Sequence, residues 1–334
     1  MKAVVLNPAF GLENLAVVER ADPSPGAGQI LVRVRATSLN YRDLLIVKGQ
    51  YNPKLVMPRI LGSDAAGEVV AVGAGVTRWK AGDRIAGCFM SQWIDGPIND
   101  AAAKSSLGSD RDGVFAELVV FEEGSVVRIP DYLSFEEAAT LPCAAVTAWN
   151  ALTASNTGPG TTVLLQGTGG VSIFALQFAK ALGATALITS GHDEKLTRAL
   201  ALGADAGTNY KTNTDWEKWA RQQTSGVGVD VVVEVGGAGT LDRSLKAVKI
   251  GGHVALIGVL AGGGTVNPML VLMKAVHLQG VFVGSRAMFE AMNQFMSEKQ
   301  IRPIIDRVFP LAEAPAALRY LESGGHFGKV VMSV

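Results

Sequence analysis

Residues 167–172 read GTGGVS, with glycines at 167, 169 and 170 and a small side chain, Ser172, where the pattern G-x-G-x-x-[GAS] closes. Backbone N–H groups left bare by glycines at the start of a helix bind anionic groups, a pyrophosphate above all. That chemistry requires a strand before the turn and a helix after it, and the flanks supply both. Val163 to Leu165 is an apolar, β-prone run. Val171, Phe174, Ala175, Phe178 and Leu182 recur at helical spacing until Gly183 supplies a stop, and a second strand, ATALITS, comes next. Here Gly167 permits the tight turn, Gly169 lets the backbone approach the pyrophosphate, and Ser172 allows close packing of helix on strand. The turn Gly167, Thr168, Gly169, Gly170 and Val171 is therefore expected to bind NAD(H) or NADP(H). An Asp or Glu at the tip of the second strand favours NAD by accepting the ribose 2′-OH. The tip here is Ser190; Asp193 and Glu194 lie beyond it, where they open a helix and suit its dipole.

The rest of the chain must place a substrate against that cofactor. A length of 334 residues suggests about two domains. Thirty acidic and thirty basic side chains cancel, so no overall field recruits nucleic acid or an anionic membrane as the main ligand. No apolar run approaches the roughly 20 residues that span a bilayer. The start, MKAVVLNPAFG, enters an alternating strand pattern rather than a leader, and two cysteines, Cys88 and Cys143, offer no disulfide framework. A cytoplasmic enzyme is expected.

Residues 1 to about 125 carry short strands such as QILVRVRATSLN, GEVVAVGAGV and FAELVVF, separated by Gly, Pro and Asp, which reads as an all-β, barrel-like unit. Between Cys88 and Gly113 the pattern becomes irregular. From about Phe135 helix and strand alternate: two helical segments in FEEAATLPCAAVTAWNAL, the glycine turn, a helix in DWEKWARQQ, then VDVVVEVGG, LDRSLKAVK, GGHVALIGV and VHLQGVFVG. Strands this apolar suit a parallel, doubly wound sheet buried on both faces. The chain closes with the helix MFEAMNQFMSEKQ, a helical turn and a last strand, KVVMSV, so both ends build the non-nucleotide domain.

MKAVV, SLNYRDLLIVKGQY, LGSDAAGEVVAVGAGV, GDRIAG, LPCAAVTAW, GTGGVS and FGKVVMSV, in this order, resemble the medium-chain dehydrogenase/reductase superfamily. They are most similar to its zinc-free quinone oxidoreductase-like and enoyl reductase-like members. The resemblance spans essentially the whole chain. It implies an α/β protein: a GroES-like, β-barrel-type substrate domain over 1–144, completed by 285–334, and a Rossmann domain over 145–284. It also implies a homodimer formed around Val276 to Val283.

Zinc-dependent relatives place Cys, His and Cys where this chain has Asn40, Ser63 and Cys143. One cysteine cannot hold a catalytic zinc, the 88–113 segment has no C-x-x-C repeat, and His192, His253, His277 and His326 share no ligand spacing. No metal is expected. In the quinone reductase relatives a Ser, a Lys and a Tyr bind the 2′-phosphate; Ser190, Lys195 and Tyr210 match them, which favours NADP(H). By the same resemblance Tyr51 lines the substrate site as hydrogen-bond or proton donor, Asn40 lies near the nicotinamide with a catalytic or binding role, and Thr147 and Lys329 reach the cofactor. Asp43 reads as structural, Cys143 as a small buried hydrophobe, and Phe89 and Trp93 as walls of a pocket. The expected activity is metal-free, NADPH-dependent hydride transfer to a small quinone or α,β-unsaturated carbonyl compound. An alcohol or aldehyde dehydrogenase and a 2-enoyl thioester reductase are the enzymatic alternatives. A low-turnover nucleotide-binding protein with a structural or RNA-contacting role is the non-enzymatic one.

Overall fold

The computed structural model describes residues 1–258, 260 and 264–334. The chain divides into two compact units, one made of Met1–Val146 with Gly284–Val334 and the other of Thr147–Val283.

The second unit is built on a six-stranded parallel sheet. Across it run Ala206–Asn209, Thr185–Ser190, Thr162–Leu165, Val229–Glu234, Val248–Leu256 and His277–Gly280. The first strand in the chain thus sits centrally, with its successors laid outward on one side and then the other, the doubly wound arrangement. Val163, Leu164, Leu165, Val232 and Val233 are fully buried because helices cover both faces. His277–Gly280 departs from the expectation of burial: it is short, lies at the sheet edge, and all four residues are exposed. An edge strand has one neighbour instead of two, so apolar sequence alone does not bury it. Of the strand expected over GGHVALIGV, the run through Leu256 is extended, and Val259 lies outside the described residues.

The first unit holds a seven-stranded sheet and a three-stranded one. Its long strand Gln29–Ser38 alternates buried Ile30, Val32 and Val34 with outward Arg33 and Arg35. Two partner strands hold its far end. Asp64–Val72 pairs antiparallel with it, setting Ser38 opposite Asp64; the last strand, Lys329–Ser333, pairs on the other side, setting Ser38 opposite Val331. Register alone therefore brings residues near 39, 64 and 329 to one place. Leu39 N donates to Val330 O at 3.0 Å, and the helix Tyr41–Val47 starts immediately afterwards. The irregular 88–113 segment is exposed over residues 94–101 but anchored on either side. Phe89 and Trp93 are buried in it, and Asn99 caps a short helix, Asp100–Ala103, by accepting from Ala102 N at 3.0 Å.

Candidate active site and nucleotide site

In the second unit the glycine turn joins strand Thr162–Leu165 to helix Gly170–Ala181. Gly167 has φ 70°, which favours glycine, and no atom lies within 4 Å of where its Cβ would stand. Gly169 precedes the first helical turn in extended conformation. Ser172 Oγ donates to Gln166 O at 2.5 Å, tying the helix to the strand end, and Gly167 N donates to Thr189 Oγ1 at 3.3 Å, tying the turn to the second strand. The N-terminus of this twelve-residue helix, preceded by Gly169 and with open space at Gly167, fits a pyrophosphate.

At the tip of the second strand Ser190 is buried, its Oγ 3.5 Å from Thr168 Oγ1 and accepting from His192 N at 3.4 Å. Tyr210 N donates to Ser190 O at 3.0 Å, and the Tyr210 hydroxyl lies so close over Gly191 that a Cβ there would meet it at 2.6 Å. Lys195 belongs to the first turn of the adjoining helix, Asp193–Ala201. Asp193 is engaged by Asn209 Nδ2 at 2.7 Å. Ser190 and Tyr210, twenty residues apart in sequence, are thus brought together at the strand tip.

Sequence reasoning missed Glu234, which organises the same end of the sheet. Its carboxylate is fully buried and accepts from Gly236 N at 2.8 Å, Gly237 N at 2.9 Å, Thr240 Oγ1 at 2.6 Å, Gln166 Nε2 at 2.7 Å and Ser244 Oγ. An acid directly after the apolar run Val231 to Val233 was the available signal. Thr147 is buried near the start of helix Val146–Ala154.

The first unit gathers the other residues. Lys329 is buried, and its ammonium donates to Leu39 O and to Asn40 Oδ1, both at 2.6 Å. Asn40 Nδ2 donates to Ser63 Oγ at 3.3 Å, and Ser63 Oγ donates to Asp64 Oδ1 at 2.7 Å. Asp64, fully buried, also accepts at Oδ2 from Ser38 Oγ at 3.2 Å and Cys143 N at 3.3 Å, and lies 3.8 Å from the Lys329 ammonium. The ring Lys329–Asn40–Ser63–Asp64 closes on itself. Lys329 therefore spends its donors inside the protein, and a contact with cofactor through this ammonium would require giving one up. The donor set also does not fit a zinc ion: the positions offer an amide, a hydroxyl and one thiol, the amide oxygen is taken by the Lys329 ammonium, and no group of three metal-ligating side chains occurs among the described residues. Cys143 is half-buried rather than fully enclosed, and burial pushes its thiol up to about 12, so it is no thiolate near neutral pH.

One helical step beyond Asn40 stands a second cation. Arg42 is buried; its guanidinium lies 4.3 Å from the Phe89 ring centre and 5.4 Å from that of Tyr51, and Nη2 donates to Leu107 O. Burial raises the Tyr51 phenol above its ordinary value while the Arg42 charge and its contact with the phenol oppose the rise, so the hydroxyl keeps its proton near neutrality. Asp43 Oδ2 accepts from Asn40 N at 2.8 Å, and burial raises its carboxyl to about 6. Phe89, expected in the wall of a pocket, packs against a guanidinium. Arg42, too, escaped sequence reasoning; an arginine inside the otherwise apolar YRDLLIV was the only hint.

A doubly wound nucleotide unit and a β-rich partner unit carrying these motifs define the medium-chain dehydrogenase/reductase superfamily, a family of oxidoreductases, and the chain belongs to it. Residues 26–131 match the model of the alcohol dehydrogenase GroES-like domain and residues 170–298 that of the zinc-binding dehydrogenase. Within it, the chain is 42% identical to a zinc-type alcohol dehydrogenase-like protein of Schizosaccharomyces pombe, covering 100% of this chain and 99% of that one. A solved NAD-dependent alcohol dehydrogenase is 36% identical with TM-score 0.91, covering 100% of both chains. The Escherichia coli quinone oxidoreductase solved with NADPH is 26% identical with TM-score 0.86, again covering 100% of both.

Proposed function

We propose that the chain is a zinc-independent, NADPH-dependent oxidoreductase acting on quinones or α,β-unsaturated carbonyl compounds. The observation that carries this reading is the closed Lys329–Asn40–Ser63–Asp64 ring; it includes Asn40 and Ser63, which by resemblance stand at two of the ligand positions of zinc-dependent relatives, and it supports a metal-free site. The nicotinamide, when bound, supplies the hydride. The chain does the rest: the Gly167–Val171 turn holds the pyrophosphate, Ser190, Lys195 and Tyr210 face the 2′-phosphate, and Thr147 and Asn40 orient the ring. Lys329 acts through Asn40 by fixing its amide. Tyr51 donates a hydrogen bond to the acceptor's carbonyl oxygen and a proton after reduction.

Turnover of a panel of quinones, enones and alcohols with NADPH and with NADH, on protein dialysed against chelator, tests it. Chelator-resistant activity preferring NADPH supports the reading; loss of activity restored by zinc overturns it. The NAD-dependent relative gives the alcohol dehydrogenase reading its support, and alcohol oxidation with NAD would favour it. The exposed edge strand His277–Gly280 is the proposed contact of a homodimer, which light scattering reads directly.

A further inference from the structure

Arg42 is the one feature that this reading leaves unused. Only about 9% of the residue is exposed, yet Nε and Nη1 have no hydrogen-bond partner. Its hydrogen bond to Leu107 O engages a neutral carbonyl and the Tyr51 phenol beside it is neutral; its charge acts on the buried Asp43 carboxyl, opposing the rise that burial causes there, with no hydrogen bond between the two. Among the described residues it forms no ion pair. Two carboxylates are committed elsewhere: Asp110 Oδ2 accepts from Ser106 N at 3.0 Å and Ser106 Oγ at 2.6 Å, and Asp64 is ringed by its own donors. Asp43 turns one oxygen to Asn40 N and leaves the other, Oδ1, without a partner. The rings of Phe89 and Tyr51 pack near the guanidinium carbon, but ring contacts do not supply acceptors for Nε and Nη1. A desolvated cation with unmet donors is costly to keep. A ligand with standing negative charge removes that cost on binding; an uncharged enone or quinone does not.

We propose that Arg42 is the specificity-determining residue of the substrate site and binds a carboxylate, so that the substrate is a small conjugated carbonyl compound carrying an acid group. This rests on the reductase reading above for the conjugated carbonyl, and on Arg42 alone for the acid. Tyr51, whose ring centre lies 5.4 Å from the guanidinium, then meets the carbonyl oxygen while Arg42 holds the carboxylate.

Levulinate, a saturated keto acid that cannot undergo conjugate reduction, and its methyl ester separate the two questions. In calorimetry on the full chain, saturated with either oxidised nicotinamide nucleotide, levulinate is expected to bind about 30-fold more tightly than the ester, the worth of one charge-assisted contact. In Arg42→Gln that preference is expected to fall to within about threefold. An equal affinity of the wild type for acid and ester overturns the proposal, as does a preference that survives Arg42→Gln. Should that variant not fold, the wild type with isotope-labelled arginine decides by NMR: one Nε–H resonance shifts on adding levulinate and not the ester, and its failure to move refutes the site. Turnover of the unsaturated analogue acetylacrylate with NADPH is read separately. An intact binding preference without reduction supports the Arg42 site and sinks the reductase reading.

Discussion

Lys329 and Arg42 are both buried cations of the same unit, less than one helical turn apart through Asn40, and they are treated in opposite ways. Lys329 sits on a strand whose register delivers it to Leu39 O, Asn40 Oδ1 and the carboxylate of Asp64. Arg42 sits on a helix, near two aromatic rings, with one carbonyl accepting from it and two nitrogens unanswered. A buried charge that is fully answered by its own chain holds the fold together; one left partly unanswered is a demand on a ligand. The difference separates architecture from recognition more sharply than residue type does.

The largest expected effect breaks the first half of that comparison. Lys329→Met leaves Asp64 buried beside no cation, and denaturant unfolding should show a loss of about 3–5 kcal/mol. A loss under about 1 kcal/mol would mean that the ring is ornamental.

Next comes the relation of Asp43 to Arg42. Its folded pKa is raised from 3.8 to about 6 by burial. Folding therefore takes up a proton between these values, and this group's contribution is complete below about pH 4 and lost as pH rises through about 6, roughly 3 kcal/mol in all. Stability measured across that window should fall with rising pH, and Asp43→Asn should flatten the slope. If Arg42 instead paired with Asp43 in solution, the carboxyl would be depressed and the slope reversed, and Arg42 would no longer be unanswered.

Tyr51→Phe removes the phenol donor beside Arg42. The expected loss in kcat/KM on the best conjugated carbonyl substrate is about 10- to 100-fold, carried mainly by kcat. An unchanged value removes Tyr51 from the chemistry. The smallest effect is expected from Arg42→Met on stability: thermal unfolding should place it within about 1 kcal/mol of the parent, because the change deletes a charge that the fold does not satisfy. A cost equal to that of Lys329→Met would erase the contrast between the two cations.

Much of the nucleotide unit was legible because its signals are local. Gly167 needs a positive φ, Phe174 and Phe178 share one helix face, and Val163 to Leu165 must be buried; each depends on neighbours within a few residues. Ser190 and Tyr210 could be paired in advance only through family resemblance, since the strand pairing that joins them is not local. The edge strand at His277 was misjudged because burial depends on how many neighbours a strand finds.

By itself, then, the sequence determined the strand–turn–helix at Gly167, the alternation that builds two kinds of domain, and the absence of Cys and His at positions 40 and 63. Those are matters of residue type and short spacing. Only the tertiary structure decided that Lys329, nearly three hundred residues from Asn40, closes the ring around Asp64, that Glu234 stitches the end of the sheet, and that Arg42 is enclosed with Nε and Nη1 unmet. Whether a charge is answered depends on which groups the register and packing carry to it, and no spacing along the chain encodes that.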